Sequence, residues 1–307
     1  WLPGSWTLES IPDLTGRTVV VTGANSGIGF AVARELARRG ATTLLACRSA
    51  ARGQAAAASI RAGIPGATLR VHSLDLAHLA SVHRFADDVR RTYDRLDLLI
   101  NNAGVMFSPR ATTIDGLERT IGVNHLGHFA LTGRLIELLQ STPDARIVTV
   151  TSLAHARGRL DTSTWLGPRP RGYGAARAYA DSKLANLLFA LELDRRLDGA
   201  TPRSLAAHPG GAPTGLGRRM EDHRMYRVIR PLMECVSQTV LAAASPILRA
   251  ATDPCARGGQ YLGPSGRLGF RGPPIPVSPS RRATDLRAGK LLWGVSTRLT
   301  RVEVPLE

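Results

Sequence analysis

The sequence predicts an α/β protein with a doubly wound, mostly parallel sheet of seven strands and helices on both faces. Short β-branched apolar runs alternate along the chain with longer segments of helical periodicity. These runs are apolar throughout, as in parallel strands that are covered on both faces. The first run ends in a glycine-rich turn before a helical segment begins, which is how a βαβ unit starts.

The expected elements follow one another in strict alternation. The first strand, Val19–Val21, is a β-branched run that Thr22 and Gly23 end, and the helix Phe30–Arg39 ends at Gly40. Further strands are expected at Thr42–Cys47, Leu69–Leu74, Leu96–Ile100, Arg146–Thr151, Ser204–Ala207 and Gln260–Leu262. Further helices are expected up to about Arg61 after the second strand, and at Leu79–Tyr93, Gly116–Leu139, Ala178–Leu197 and Leu286–Leu299.

Two stretches are predicted to be irregular. Residues 153–177 are rich in Gly, Pro and Arg, and residues 264–283 contain too much proline for a helix or a central strand. Since no linker or repeat interrupts the alternation, residues 1–307 are predicted to form a single domain. Its core covers about residues 15–263, and 264–307 form a C-terminal extension to which no chemistry is assigned.

The basic composition does not indicate nucleic-acid binding. The net charge is +16, and all basic residues except Lys183 and Lys290 are arginine. The arginines are scattered rather than clustered, and only 5% of residues are aromatic, which is unlike a nucleic-acid surface. A small anionic molecule, such as a phosphorylated cofactor, suits this charge without a further assumption.

No membrane segment, metal site or disulfide is predicted. No run approaches the roughly 18 apolar residues that a membrane helix needs, and the first residues lack the pattern of a signal peptide or anchor. The three cysteines, Cys47, Cys235 and Cys255, are odd in number and unclustered, as in a reducing cytosol. A cytoplasmic protein is therefore expected.

The turn after the first strand is predicted to bind phosphate. Gly23 allows a sharp turn, Gly27 lets a diphosphate approach the backbone, and Gly29 lets helix and strand pack closely. Free N–H groups and the positive helix end meet there. An ordinary βα turn is the alternative interpretation, but the flanking strand and helix favour a dinucleotide site. That site would be formed by Gly23, Asn25, Ser26, Gly27, Ile28 and Gly29.

The second strand favours NADP(H) over NAD(H). An acidic residue at the end of this strand binds the adenosine ribose in many dinucleotide sites, and it would repel a 2′-phosphate. No acid occurs between Glu35 and Asp75, and the strand ends beside Arg48, whose planar fork suits a phosphate. Asp75, with Leu76, is expected near the adenine, although Asp75 could instead cap the next turn.

Tyr179 and Lys183 are candidates for proton transfer. Four residues apart on a predicted helix, they share one face. A free tyrosine has a pKa near 10, which is too high for efficient exchange of a proton at neutral pH. An ammonium about 4 Å away is expected to lower the pKa of Tyr179 towards neutrality. Tyr173 has no such partner, because residue 177 is arginine.

Together these motifs resemble the short-chain dehydrogenase/reductase family, over about residues 15–263. The shared motifs are Thr22-Gly23-x-x-x-Gly27-Ile28-Gly29, Asn101-Asn102-Ala103-Gly104, Ser152 and Tyr179-x-x-x-Lys183. The retinol dehydrogenases and related bacterial oxidoreductases are the most similar subgroup, through Ala46-Cys47-Arg48, Asn124-His125-Leu126-Gly127-His128-Phe129 and the insertion before Tyr179. The resemblance implies a Rossmann fold and a nicotinamide cofactor.

The resemblance also implies roles for individual residues. Ser152 would fix the substrate oxygen, Tyr179 would donate the proton, Lys183 would lower its pKa and hold the nicotinamide ribose, and Asn124 would support the proton relay. Thr151 is the neighbour most easily confused with Ser152. Further cofactor contacts are implied for Asn102, Ala103 and Gly104 on the adenosine side and for Pro209, Gly210 and Thr214 at the nicotinamide. Residues 215–235 would form a substrate lid, or else a helix packed on the sheet.

The expected activity is that of an NADP(H)-dependent carbonyl reductase or alcohol dehydrogenase. A reductase of C=C bonds and a cofactor-binding regulator without turnover are the alternatives, since both could retain these motifs. A lipophilic aldehyde, a steroid-like ketone or a secondary-metabolite intermediate would all fit as the small-molecule substrate. A monomer, a homodimer and a tetramer stay open. His125 and His128 are expected to serve packing or capping, and neither is assigned a chemical role.

Overall fold

The sheet is doubly wound, as predicted, but it has eight strands rather than seven. The computed structural model describes residues 6–166, 173–211 and 238–306. Within them the strand order is β3-β2-β1-β4-β5-β6-β7-β8, parallel from β3 to β7 and antiparallel between β7 and β8. The strands are β1 Thr18–Thr22, β2 Thr42–Cys47, β3 Leu69–Ser73, β4 Leu98–Asn101, β5 Arg146–Val150, β6 Arg203–Ala207, β7 Tyr261–Pro264 and β8 Pro274–Pro276.

Helices cover both faces of the sheet. The α-helices are α1 Gly27–Arg38, α2 Ala50–Gly63, α3 Leu79–Thr92, α4 Arg119–Ile121, α5 Gly127–Gln140, α6 Ala175–Leu197, α7 Val240–Thr252 and α8 Leu286–Thr300. One apolar core lies under α3, α5 and α6, and the other lies under α1, α2 and α7. None of the helices in the described ranges combines the length and apolar character needed to cross a membrane.

The eighth strand lies in the stretch predicted to be irregular. β8 pairs with β7 at the edge of the sheet, with Gly263 opposite Ile275. An edge strand tolerates proline because one of its sides needs no N–H donors. The proline content of residues 264–283 therefore excluded a central strand, as predicted, but not this short edge strand.

Helix α7 had no counterpart among the predicted elements. It contains Pro246, which removes one backbone hydrogen bond from the helix and hid the helical pattern. Thr239 caps its first turn by accepting from the N–H of Ala242, 3.1 Å away. Its alanine-rich face packs against α1 and the sheet, so tertiary burial outweighs the cost of the proline.

The long helix predicted at Gly116–Leu139 begins later and is interrupted. The Glu118 carboxylate accepts from the N–H groups of Thr120 and Ile121, both at 2.9 Å, so the helix starts at Arg119. Residues Gly122–Leu126 then form a π-helical turn before α5. Such turns are frequent at functional sites, and this one carries Asn124.

The predicted covering helix is present as α8, which packs on α5 and α6. Trp293 lies on Phe129 and Phe189, with ring centres 5.3 Å and 6.1 Å apart. The Arg196 guanidinium carbon lies 4.3 Å from the centre of the Trp293 ring. The C-terminal extension therefore completes the core on this face of the sheet.

Candidate active site

The structure brings Ser152, Tyr179 and Lys183 together at the carboxyl ends of the strands. Ser152 comes just after β5, and the other two residues lie on α6. The Ser152 and Tyr179 side chains are hydrogen-bonded, and the Lys183 Nζ lies 5.8 Å from the centre of the Tyr179 ring. The predicted sharing of one helix face therefore places phenol and ammonium side by side.

The geometry separates Ser152 from its neighbour Thr151. The Thr151 side chain is buried, and its hydroxyl donates to the main-chain carbonyl of Lys183, 2.7 Å away. The Ser152 Oγ accepts from the N–H of Ala154 at 3.2 Å and pairs with Tyr179. Ser152 is therefore the hydroxyl that faces the phenol, while Thr151 fixes the helix that carries the lysine.

The predicted lowering of the Tyr179 pKa is wrong for the protein itself. Burial raises the pKa of Tyr179, and only its hydrogen bond with Ser152 opposes that rise. Burial also lowers the pKa of Lys183 to about 8. The attraction between ammonium and phenolate, which favours a lower pKa, is outweighed by the cost of burying both charges. Tyr179 is consequently a neutral phenol at neutral pH, which is the form that donates a proton.

Asn124 is fully buried, and its side chain is saturated with hydrogen bonds. Its Oδ1 accepts from the N–H of Val105 at 2.7 Å, and its Nδ2 donates to the Val105 carbonyl at 3.0 Å and to the Ser182 Oγ at 2.9 Å. The Ser182 hydroxyl donates in turn to the Tyr179 carbonyl at 2.8 Å. Asn124 therefore joins the loop after β4 to the turn of α6 that bears Tyr179.

The residues after β4 lie between the glycine turn and Lys183. Asn102 Nδ2 donates to the Thr22 carbonyl at 2.8 Å, which ties this loop to the end of β1. A Cβ placed on Gly104 would lie 3.2 Å from Asn124 Oδ1 and 3.7 Å from Lys183 Nζ. A side chain at Gly104 would therefore crowd the Asn124 amide and come into van der Waals contact with the ammonium.

The glycine turn has the geometry of an anion site. Gly23 has a φ of +68°, and a Cβ on Gly29 would lie 2.4 Å from Asn102 Nδ2 and 2.5 Å from the Gly23 carbonyl oxygen. Gly27, with a φ of +55°, begins α1. Ser26, the residue before the helix, makes no capping hydrogen bond, so its side chain leaves the first-turn N–H groups free. Asn25 and Ile28 complete this turn, which fits a diphosphate.

The end of β2 fits a further phosphate. Arg48 is exposed and makes no hydrogen bond or ion pair within the described part of the chain. Asp75 Oδ1 accepts from the N–H of Ala77 at 2.9 Å, so its alternative capping role is present. Leu76 is buried, and a Cβ on Gly127 would lie 2.6 Å from its carbonyl oxygen.

The loop after β6 lies at the same edge of the sheet. Gly210 has a φ of +69° and donates its N–H to His208 Nδ1 at 3.3 Å. The Pro209 carbonyl accepts from Gln238 Nε2 at 2.8 Å, which fixes the loop. The predicted contact Thr214 and the predicted lid, 215–235, lie outside the described residues.

Two residues at the site were not predicted. His155 Nδ1 donates to the Ser152 carbonyl at 2.7 Å, and its Nε2 accepts from the N–H of Ser280 at 3.3 Å, so it ties Ser152 to the C-terminal extension. Its position three residues after Ser152 was the available signal. Phe107, whose φ is +49°, lies 6.0 Å from Tyr179 between ring centres, and no sequence pattern indicated it. No cluster of His, Cys, Asp and Glu among the described residues could hold a metal ion.

Comparison with known sequences identifies close relatives of this arrangement. Residues 17–165 match the family model described as short chain dehydrogenase. The chain is 40% identical to human retinol dehydrogenase 13 over 297 residues, covering 95% of this chain and 87% of that protein. It is 38% identical to mouse retinol dehydrogenase 12 over 291 residues, covering 94% and 88%.

Solved structures agree with the sequence comparison. A crystal structure of a Mycobacterium paratuberculosis protein is 43% identical, with a TM-score of 0.80 over 98% of this chain and 99% of the other. A Beutenbergia cavernae structure, described as a candidate NAD(P)-dependent gluconate 5-dehydrogenase with NADP at low occupancy, is 28% identical. Its TM-score is 0.64, over 81% of this chain and 95% of the other.

Proposed function

Because the chain belongs to the short-chain dehydrogenase/reductase family, we propose that it transfers hydride between NADP(H) and the carbonyl or hydroxyl carbon of a small lipophilic substrate. The observation that carries this proposal is the pairing of the Ser152 and Tyr179 hydroxyls beside Lys183. Two neighbouring hydroxyl groups suit a substrate oxygen that gains a proton. This favours reduction of C=O over reduction of C=C.

Each residue of the site has a part in the proposed reaction. Ser152 would hold the substrate oxygen, and Tyr179 would give it a proton during reduction. Lys183 would hold the nicotinamide ribose. Asn124 would support the relay that restores the proton to Tyr179. The nicotinamide, when bound, supplies the hydride.

Arg48 supports the preference for NADP(H). It is exposed beside the end of β2, and the chain has no acid between Glu35 and Asp75 that would repel a 2′-phosphate. The Beutenbergia cavernae relative described above was solved with NADP. We therefore propose a fork of guanidinium hydrogen bonds between Arg48 and the 2′-phosphate.

Two of the relatives reported above suggest a substrate class. They are retinol dehydrogenases, so an allylic, lipophilic aldehyde and its alcohol are the first substrates to test. The ring of Phe107 beside Tyr179 gives the site one apolar wall for such a molecule. Steroid-like ketones form the second class.

The test is a panel assay on the purified full chain. NADPH oxidation is followed with retinal, aliphatic aldehydes, steroid ketones and an enone, and products are identified by mass spectrometry. We expect alcohol products and a higher kcat/KM with NADPH than with NADH. A better rate with NADH would remove the cofactor preference, and a saturated carbonyl product from the enone would indicate a C=C reductase. Cofactor binding without turnover on the whole panel would favour a regulator.

A further inference from the structure

Two buried histidines that the proposed reaction does not use lie on, and just after, the π-helical turn that bears Asn124. His125 belongs to the π-helical turn, and His128 lies in the first turn of α5. Both side chains are almost completely shielded from solvent, with exposed fractions of 0% and 1%. They are alike in chemistry and burial but differ in their hydrogen-bond partners.

His128 makes a hydrogen bond with each ring nitrogen. Its Nδ1 lies 3.0 Å from the main-chain carbonyl oxygen of Asn124, and its Nε2 lies 2.9 Å from the Thr22 Oγ1. A carbonyl oxygen only accepts, so Nδ1 carries the proton. Burial, together with the nearby charge of Lys183, lowers the pKa of His128 to about 4. The ring is therefore neutral, and Nε2 accepts a hydrogen bond.

The Thr22 hydroxyl supplies that hydrogen bond. Its oxygen accepts from the N–H groups of Asn102 and Ala103, both at 2.9 Å, and these two donors occupy its lone pairs. Its single proton can go to His128 Nε2 at 2.9 Å or to the Ile100 carbonyl at 3.2 Å, and the contact with the histidine is the shorter. His128 thus accepts the one hydrogen bond that the Thr22 hydroxyl can donate, while the oxygen of that hydroxyl holds the loop after β4.

We infer that His128 is a positioning residue that couples the cofactor-binding loop to the catalytic turn, an inference that rests on the proposed function. Through Thr22, its Nε2 holds the backbone of Asn102 and Ala103 against β1. Through Nδ1, it orients the peptide carbonyl of Asn124. His128 touches no reacting atom, and it acts only through these two groups.

The two nitrogen atoms can be replaced one at a time. An asparagine side chain ends where Nδ1 lies, so His128→Asn retains donation to the Asn124 carbonyl and loses the bond to Thr22. A glutamine side chain reaches to Nε2, so His128→Gln retains the bond to Thr22 and loses the one to Asn124. His128→Leu loses both.

The experiment measures NADPH affinity by fluorescence titration, and kcat and KM with a carbonyl substrate from the panel, on the full chain. For His128→Asn we expect the Kd for NADPH to be about tenfold higher, and kcat to stay within about twofold of the parent value. For His128→Gln we expect an unchanged Kd and a kcat about tenfold lower. His128→Leu should show both losses.

His125 provides the matched control. Its Nε2 lies 2.8 Å from Ser296 Oγ on α8, and its Nδ1 has no partner in the described part of the chain. His125→Leu should therefore lower the melting temperature while leaving Kd and kcat unchanged. Should that variant not fold, His125→Gln, which keeps a polar end towards Ser296, takes its place.

Two results would overturn the inference. One is an unchanged Kd in His128→Asn. The other is that Kd rises and kcat falls by the same factor in all His128 variants and in the His125 control, as general destabilisation would cause. If the parent protein binds NADPH but reduces no carbonyl, the proposed function fails by itself. The Kd values of His128→Asn and His128→Gln would still decide whether His128 holds the cofactor loop.

Discussion

The Lys183 ammonium lies 3.0 Å from the carbonyl oxygen of Val150, the last residue of β5, and donates a hydrogen bond to it. Asn186 Nδ2 donates to the same oxygen at 3.1 Å, and the Thr151 hydroxyl holds the Lys183 carbonyl. The lysine is thus fixed to the end of β5 at both its backbone and its side chain. Its charge therefore has a defined position beside Tyr179.

The burial of this charge predicts a pH dependence. Because burial lowers the pKa of Lys183 to about 8, the ammonium is present below that pH and is lost as pH rises through it. An anionic cofactor is attracted by the charged form. We therefore expect kcat/KM for NADPH, which reports the free enzyme, to fall as pH rises through about 8.

Lys183→Arg tests whether the lysine causes this decline. A guanidinium keeps its charge over the whole range. The variant should therefore have a lower kcat/KM for NADPH, and that value should not fall as pH rises above neutrality. Burial raises the pKa of Tyr179, so titration of that residue does not explain a decline in kcat/KM near pH 8. The assignment fails if the decline persists unchanged in the arginine variant.

Tyr179→Phe should greatly slow turnover while leaving cofactor binding nearly intact. The phenylalanine ring keeps the contact with Phe107 but cannot donate a proton, so we expect kcat to fall by about 10³-fold and the Kd for NADPH to stay within about twofold. Tyr173→Phe is the matched control. It removes the same hydroxyl group from a tyrosine that donates to Glu118, at 3.1 Å, and not to a residue of the proposed reaction. That variant should retain turnover. Equal loss in both would remove the special role of Tyr179.

What the sequence predicted well was local. Tyr179 and Lys183 share a helix face because they are four residues apart, and Gly29 is required where helix and strand meet. Ser152 follows a strand whose apolar character is plain from the sequence. In each case the physical cause lies within one turn or one βα unit.

What it did not predict depends on contacts between distant residues. His155 meets the backbone of Ser280, 125 positions further along the chain, and the π-helical turn at Asn124 accompanies side-chain bonds to Val105 and Ser182. The sign of the Tyr179 pKa shift depends on how deeply the site is buried. Burial is a property of the packed protein, so no pattern of neighbouring residues revealed it.

Arg48 should decide the choice of cofactor. If its guanidinium holds the 2′-phosphate, Arg48→Gln removes a bidentate charged contact, and kcat/KM for NADPH should fall by about 10- to 100-fold. The value for NADH should change by less than about twofold. Arg84→Gln, an exposed arginine on α3 at the other face of the sheet, is the control. A similar loss with both cofactors would count against a phosphate contact.

Asp97 should make the fold sensitive to acid. Burial by itself would raise the pKa of its carboxyl, but hydrogen bonds from Arg95, Arg17 and the N–H of Thr18 lower that pKa below its ordinary value. A carboxyl with a lowered pKa stabilises the folded state above its unfolded pKa of about 3.9. The contribution is lost as pH falls through the folded pKa.

Asp97→Asn tests this contribution. It leaves two arginines without their carboxylate, so we expect the free energy of unfolding at pH 7 to fall by about 2–4 kcal/mol in urea titrations. As pH falls below the unfolded pKa of about 3.9 towards the lowered pKa of the folded carboxyl, the difference between the two proteins should shrink, and it should vanish below that folded pKa. Asp94→Asn, an exposed carboxyl three residues earlier, should change stability by less than about 0.5 kcal/mol. If the difference in the free energy of unfolding between Asp97→Asn and the parent stays constant down to pH 3, the charge of Asp97 is not what stabilises the fold.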